Sequence, residues 1–206
     1  MRLLLTLTLL AASPAFCAGW KQLFNGKDLD SWKMTGPGRF NIENGEMVTE
    51  GGMGLLYYEG AKFGDTTIRV VFKTSSERGN SGVIVRLPEK PTDPWYGVHN
   101  GYEVQIDASG DEWHSTGALY SLSKVTQRAQ KPAGEWNTMD IVLKGQTTTV
   151  ILNGKKVNKF VGNQAVPERK AWYEPIRGPR PDSGYIGLQN HDGASKVHFK
   201  SVSVKQ

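Results

Sequence analysis

Thr149-Val-Ile-Leu-Asn-Gly-Lys-Lys-Val-Asn-Lys-Phe160 is the stretch on which the reading of this chain turns. Val150 and Leu152 alternate with Thr149 and Ile151, Asn153-Gly154 supplies two residues that tolerate positive φ, and Lys155 to Phe160 forms a return strand, so the segment predicts a β-hairpin. The same period of two recurs where Ile68, Val70 and Phe72 alternate with Arg69, Val71 and Lys73. Outward from these, strands are predicted over 40–42, 46–49, 82–87, 102–107, 117–120, 137–144, 185–190 and 197–204, with Asn44-Gly45 as a second tight turn. Short alternating runs, 24 glycines, 10 prolines and no long helical period predict an all-β, two-sheet antiparallel sandwich.

Residues 1–18 read as a secretory signal peptide, with Arg2 ahead of an apolar run from Leu3 to Ala12 and small residues after it. The chain is therefore expected to be exported, to the periplasm or the extracellular space, and 19–206 to form a single domain. The apolar run is shorter than the roughly 20 residues a membrane-spanning helix needs. Cys17 is the single cysteine among 206 residues, which leaves the domain without an internal disulfide or a thiol metal cluster; Phe16 ahead of it argues against lipidation. The net charge of +5 falls to +4 without Arg2, and its Lys and Arg are interleaved with acids, a pattern that argues against nucleic acid as a partner.

Gly101-Tyr-Glu-Val-Gln-Ile-Asp-Ala108 carries the most chemistry. Tyr102, Val104 and Ile106 fall on one face of a strand; Glu103, Gln105 and Asp107 fall on the other, a row suited to holding sugar hydroxyls. Tyr185-Ile-Gly-Leu-Gln-Asn-His191 repeats the arrangement, with Gln189 and His191 opposite Ile186 and Leu188. In one sheet the two rows could converge for proton transfer, or around a divalent metal ion with Asp107 as a ligand. His191, beside Asp192-Gly193, could equally be a turn residue. Gly79-Asn-Ser-Gly-Val-Ile-Val-Arg86 puts Asn80, Gly82, Ile84 and Arg86 on one face, with Arg86 either an available cation or a structural partner of a carboxylate. Two long irregular segments, 88–100 with Trp95, Tyr96 and His99, and 162–183 with Trp172, Tyr173 and several arginines, read as a basic, aromatic rim or as solvated loops.

On these residues the chain resembles the 3-keto-disaccharide hydrolase family, whose fold is a concanavalin A-like lectin/glucanase jelly roll. The matching motifs are Leu23-Phe-Asn-Gly-Lys-Asp-Leu29 with Trp32, 79–86, 101–108, Thr116-Gly-Ala-Leu-Tyr120, Lys131 to Asn137, Leu152-Asn-Gly154 and Gly184 to His191. They run through nearly all of the chain after the leader. Where the family's last strand usually carries arginine, Lys200 stands here.

The resemblance implies an enzyme that cleaves glycosides already oxidised at C3 by a separate sugar 3-dehydrogenase, since the chain has no Gly-rich nucleotide motif and so no expected nucleotide cofactor. A C3 ketone acidifies the C2 proton, so a base can remove it and expel the C1 substituent by β-elimination, with hydration following. Glu103 or His191 is the expected base or acid, and Arg86 or a bound cation the electrophile. Asn80, Gln105, Gln189, Trp95, Tyr120 and Lys131 are the expected substrate-binding residues. A two-carboxylate glycosidase fits less well, because Glu103 and Asp107 stand four residues apart, ~13 Å along a strand, whereas such acids sit roughly 5–9.5 Å apart. A non-catalytic carbohydrate-binding module is the reading from another class.

Overall fold

The computed structural model describes residues 19–206. The signal peptide expected over 1–18, and Cys17 within it, lie outside the described residues. In chain order the strands are β1 (Lys21–Gln22), β2 (Trp32–Thr35), β3 (Arg39–Glu43), β4 (Glu46–Glu50), β5 (Gly54–Tyr58), β6 (Thr66–Thr74), β7 (Asn80–Leu87), β8 (Tyr102–Asp107), β9 (Asn137–Lys144), β10 (Thr147–Leu152), β11 (Lys155–Val161), β12 (Tyr185–Asn190) and β13 (Val197–Lys205), with one helix, α1 (Pro94–Asn100), between β7 and β8. They form two antiparallel sheets, β11-β10-β9-β6-β13-β4-β3 with β1 added against β13, and β2-β5-β12-β7-β8. The predicted sandwich is the observed one.

Alternation decides which side chains fill it. Ile68, Val70 and Phe72 of β6 and Val150 and Leu152 of β10 are fully buried, and they meet Val83, Val85, Tyr102, Val104, Ile106 and Leu188 of the second sheet in one continuous core. Both predicted tight turns form as expected: Asn44-Gly45 and Asn153-Gly154 have φ of 51° and 80° at their two positions, the left-handed pair that matches strand twist in a hairpin.

The other face of the second sheet is half covered. Helix α1 lies on it, capped by Asp93, whose carboxylate accepts from the Trp95 and Tyr96 N–H groups. A Cβ at Gly97 would stand 2.6 Å from a Leu55 methyl, so glycine is what lets the helix seat on β5. Burial on both faces explains why β5 has no polar alternation: all five residues of Gly-Leu-Leu-Tyr-Tyr are buried.

The segment 162–183 stays irregular; Arg180 turns inward and Arg177 is half-buried, while Arg169 and Lys170 remain exposed. Arg180 donates to the carbonyls of Gly101, His99 and Ile176 and lies over the Tyr102 ring. Arg177 donates to Pro167 and Pro175 carbonyls and to the Glu174 carboxylate. The Arg180 contacts tie the segment to α1 and β8, while those of Arg177 brace the segment within itself.

Candidate active site

Register on the uncovered half of this face brings the two polar rows together. In the β7–β8 ladder Asn80 pairs with Asp107, Gly82 with Gln105 and Ile84 with Glu103; in the β12–β7 ladder Gly187 pairs with Ile84. Because side chains alternate, Glu103, Gln105 and Asp107 share a face with Asn80 and Gln189. A cavity of about 610 Å³ opens here, walled by those five residues with Trp95 from α1, Tyr120, and His191 just past β12.

Glycine makes room for the central acid. A Cβ at position 82 would lie 2.7 Å from Glu103 Cγ, so the Glu103 side chain crosses over the bare Gly82 backbone. Glu103 is almost completely buried, 4 % exposed, and its carboxyl is hydrogen-bonded by the Gln189 side chain. Burial disfavours its charged form more than Gln189 favours it, and its pKa is pushed up to about 8.

Its neighbours are oriented by one another. Gln105 Nε2 donates to Asn80 Oδ1 at 2.9 Å, and Asn80 Nδ2 donates to Asp107 Oδ2 at 3.4 Å. The amide oxygens of Gln105 and Gln189 are buried without a protein partner, an arrangement that favours a ligand bringing hydroxyl donors. His191 stands both at the cavity wall and at the turn after β12. Its Nδ1 lies 2.6 Å from Asp192 Oδ2, while Asp192 Oδ1 accepts from the Ala194 and Ser195 N–H groups to hold the turn. Burial would raise the Asp192 pKa, but the bonds from His191 and the two backbone N–H groups outweigh it and hold the group low.

Two expected residues lie elsewhere. Arg86 is 1 % exposed and donates to the carbonyls of Pro181 and Gly145. The cause is a β-bulge: the β12 pairing shifts between Tyr185↔Leu87 and Gly187↔Ile84, and Arg86 sits at φ 54°. The extra residue moves Leu87 onto the face of Ile84, where both pack with Leu55, and turns Arg86 away from the cavity. It is therefore not the available cation that strict alternation predicted. Lys131 lines a separate cavity of about 240 Å³ on the far side of Asp107.

Asp107 is committed to its turn. Its Oδ1 accepts from Ser109 N, Ser109 Oγ and Gly110 N, and its Oδ2 from Asn80. Among the described residues no three His, Cys, Asp or Glu side chains converge as a metal cage.

Sequence reasoning passed over His114, Ser121 and Glu174, which also line the cavity, together with Tyr173 of the expected aromatic rim. His114 and Ser121 flank the short segment 116–120, which hydrogen-bonds along the free edge of β8: Gln105 N–H donates to Ala118 and Tyr120 N–H to Glu103. The chain has only four histidines, and two of them, His114 and His191, stand at this cavity. That scarcity was the available signal.

The model of the 3-keto-alpha-glucoside-1,2-lyase-like domain family matches residues 19–205. Two solved structures from Parabacteroides distasonis, each of a candidate glycosyl hydrolase, are similar: one at 28 % identity and TM-score 0.74, covering 91 % of this chain and 98 % of that one, the other at 24 % and 0.75, covering 91 % and 93 %. The carbohydrate-binding module CBM66 of Bacillus subtilis shares the fold at 15 % identity and TM-score 0.57, over 85 % of this chain and 96 % of that one. No curated protein sequence matches significantly.

Proposed function

From a chain that belongs to the 3-keto-alpha-glucoside-1,2-lyase-like family over residues 19–205, we propose an enzyme that breaks the glycosidic bond of sugars carrying a ketone at C3, by removing the C2 proton and expelling the C1 substituent. The observation that carries this reading is the buried Glu103 carboxyl, pushed up to about 8 at the wall of a sugar-sized cavity. A proton beside a ketone is a weak acid, and a carboxylate in water is too weak a base to take it quickly. Desolvation strengthens the base, so once ionised Glu103 suits C2 deprotonation.

As that proton leaves, charge builds on the C3 oxygen, and a donor placed there is worth the most to the rate. With Arg86 turned away, His191 takes that role: its Nδ1 is bound to Asp192, and its Nε2 is the nitrogen available to the substrate. The Gln105, Gln189 and Asn80 amides hold hydroxyls, and Trp95 supplies an aromatic part of the wall against the sugar. No step requires a metal ion. Water added to the C1=C2 product afterwards would complete a net hydrolysis.

The test is release of chromophore from a chromogenic 3-keto-glucoside and from its unoxidised parent, each with and without EDTA. Release from the keto substrate alone, insensitive to EDTA, is expected. Release from the parent would instead mark a conventional glycosidase, and tight binding of sugar without release from either a binding module.

A further inference from the structure

Elimination leaves the departing oxygen in need of a proton, and a line of side chains reaches the cavity beside Glu103. Tyr120 stands in the wall, and the Ser121 side chain hydrogen-bonds its phenol. Ser121 Oγ lies 3.1 Å from His114 Nε2, and His114 Nδ1 lies 2.7 Å from Asp111 Oδ1. The His114 and Tyr120 rings are 5.2 Å apart. Asp111 is itself fixed by accepting from the Trp113 and His114 N–H groups at 2.9 and 3.1 Å. Ser121 holds φ at 54°, in the left-handed region that favours glycine.

This line runs from the sugar cavity to the surface. His114 and Ser121 also line a neighbouring cavity of about 350 Å³ whose wall includes Asp111, and the Asp111 side chain is 64 % exposed. With a sugar filling the first cavity and excluding water, the second cavity remains the route by which a proton can arrive.

From this geometry we infer that Tyr120 is the acid that protonates the departing glycosidic oxygen, and that Ser121, His114 and Asp111 are positioning residues that return a proton to it from solvent. The inference rests on the elimination reading. The C2 proton passes to Glu103, the C2–H electron pair becomes the second bond of C1=C2, and the C1–O bond breaks. Its electrons take the Tyr120 proton. Ser121 then gives its hydroxyl proton to the phenolate and takes another from His114 Nε2–H, whose Nδ1 stays against the Asp111 carboxylate; His114 regains a proton from solvent as Glu103 returns the C2 proton to solvent, so no net proton is consumed. Burial, with the Glu103 charge beside it, holds the phenol up to about 12, so Tyr120 carries its proton at neutral pH.

Two 3-keto substrates with the same sugar test this, one leaving as 4-nitrophenolate, which departs without a proton, and one as a sugar alkoxide, which does not. In Tyr120→Phe, His114→Gln and Ser121→Ala, the loss of kcat should be about tenfold or more greater for the alkoxide substrate. C2 proton exchange in D2O, followed by NMR, reports the Glu103 step separately. Equal losses on both substrates in folded variants would overturn the relay and leave a structural role for these residues. Failure of the wild type to exchange the C2 proton or to release either leaving group would instead overturn the elimination reading. Should Ser121→Ala not fold, the more exposed His114→Gln carries the comparison.

Discussion

The Glu103 side chain lies over the bare α-carbon of Gly82, the one place on β7 where it can cross toward Gln189. A methyl group at 82 would stand within 2.7 Å of Glu103 Cγ. Gly82→Ala should therefore displace the carboxyl, lowering kcat/KM on a 3-keto-glycoside by about a hundredfold while costing only about 1–3 kcal/mol of stability, as overpacking usually does. Steady-state kinetics beside a denaturant melt check both halves.

Glu103→Gln keeps the shape and removes the base. Turnover should fall by about a thousandfold or more, at the upper part of what a positioned base contributes, with no loss of secondary structure by circular dichroism. Wild-type rates in this variant would remove Glu103 from the mechanism.

A base whose pKa is about 8 sets the pH dependence of the reaction. The rate constant kcat/KM should rise as pH increases through about 8 and level off above it, because only the ionised carboxyl takes the C2 proton. A profile flat from about pH 6 to 9 would contradict this.

The same shift acts on stability with the opposite sense. The folded pKa of Glu103 is raised from 4.5 to about 8, so between those values the folded state holds a proton that the unfolded chain has lost. Stability from this group is fully present below about 4.5 and declines as pH rises toward 8. Thermal melts at about pH 5 and pH 8.5 should show the wild type losing more than Glu103→Gln across the interval.

Arg86, buried between carbonyls, should matter to folding and not to the reaction. Arg86→Ala should destabilise by about 2–4 kcal/mol, leaving the Gly145 and Pro181 carbonyls unpaired in a vacated space. The fraction still folded at low temperature should turn over within about threefold of wild type.

What sequence could and could not reveal divides along physical lines. The hairpin at Asn153-Gly154 and the core face of β6 were legible because those strands alternate buried with partly exposed residues, and the row Glu103-Gln105-Asp107 because β8, though buried throughout, alternates apolar with polar side chains. Strand β5 was not, because α1 buries its second face and erases the alternation. The short helix α1 fell inside a segment read as irregular, although Asp93-Pro94 was a start signal. Arg86 was misplaced because one bulged residue reverses the parity of everything beyond it. His114 and Ser121 stand on turns, where no periodicity indicates which way a side chain points.

Strand β12 lies at the centre of the second sheet, between β5 and β7, yet it is the second-last strand to be made. Until residue 190 has emerged, β5 and β7 are both open edges, exposed to pairing with a wrong partner. The long separation of β5 from β12 predicts slow folding, since the loop must close before the contact stabilises it. Gln189 and His191 travel on that same late strand and the turn after it. The cavity therefore gains its last wall as the sheet closes, and the chain cannot act on a sugar before it has passed the stage at which it is most prone to aggregate.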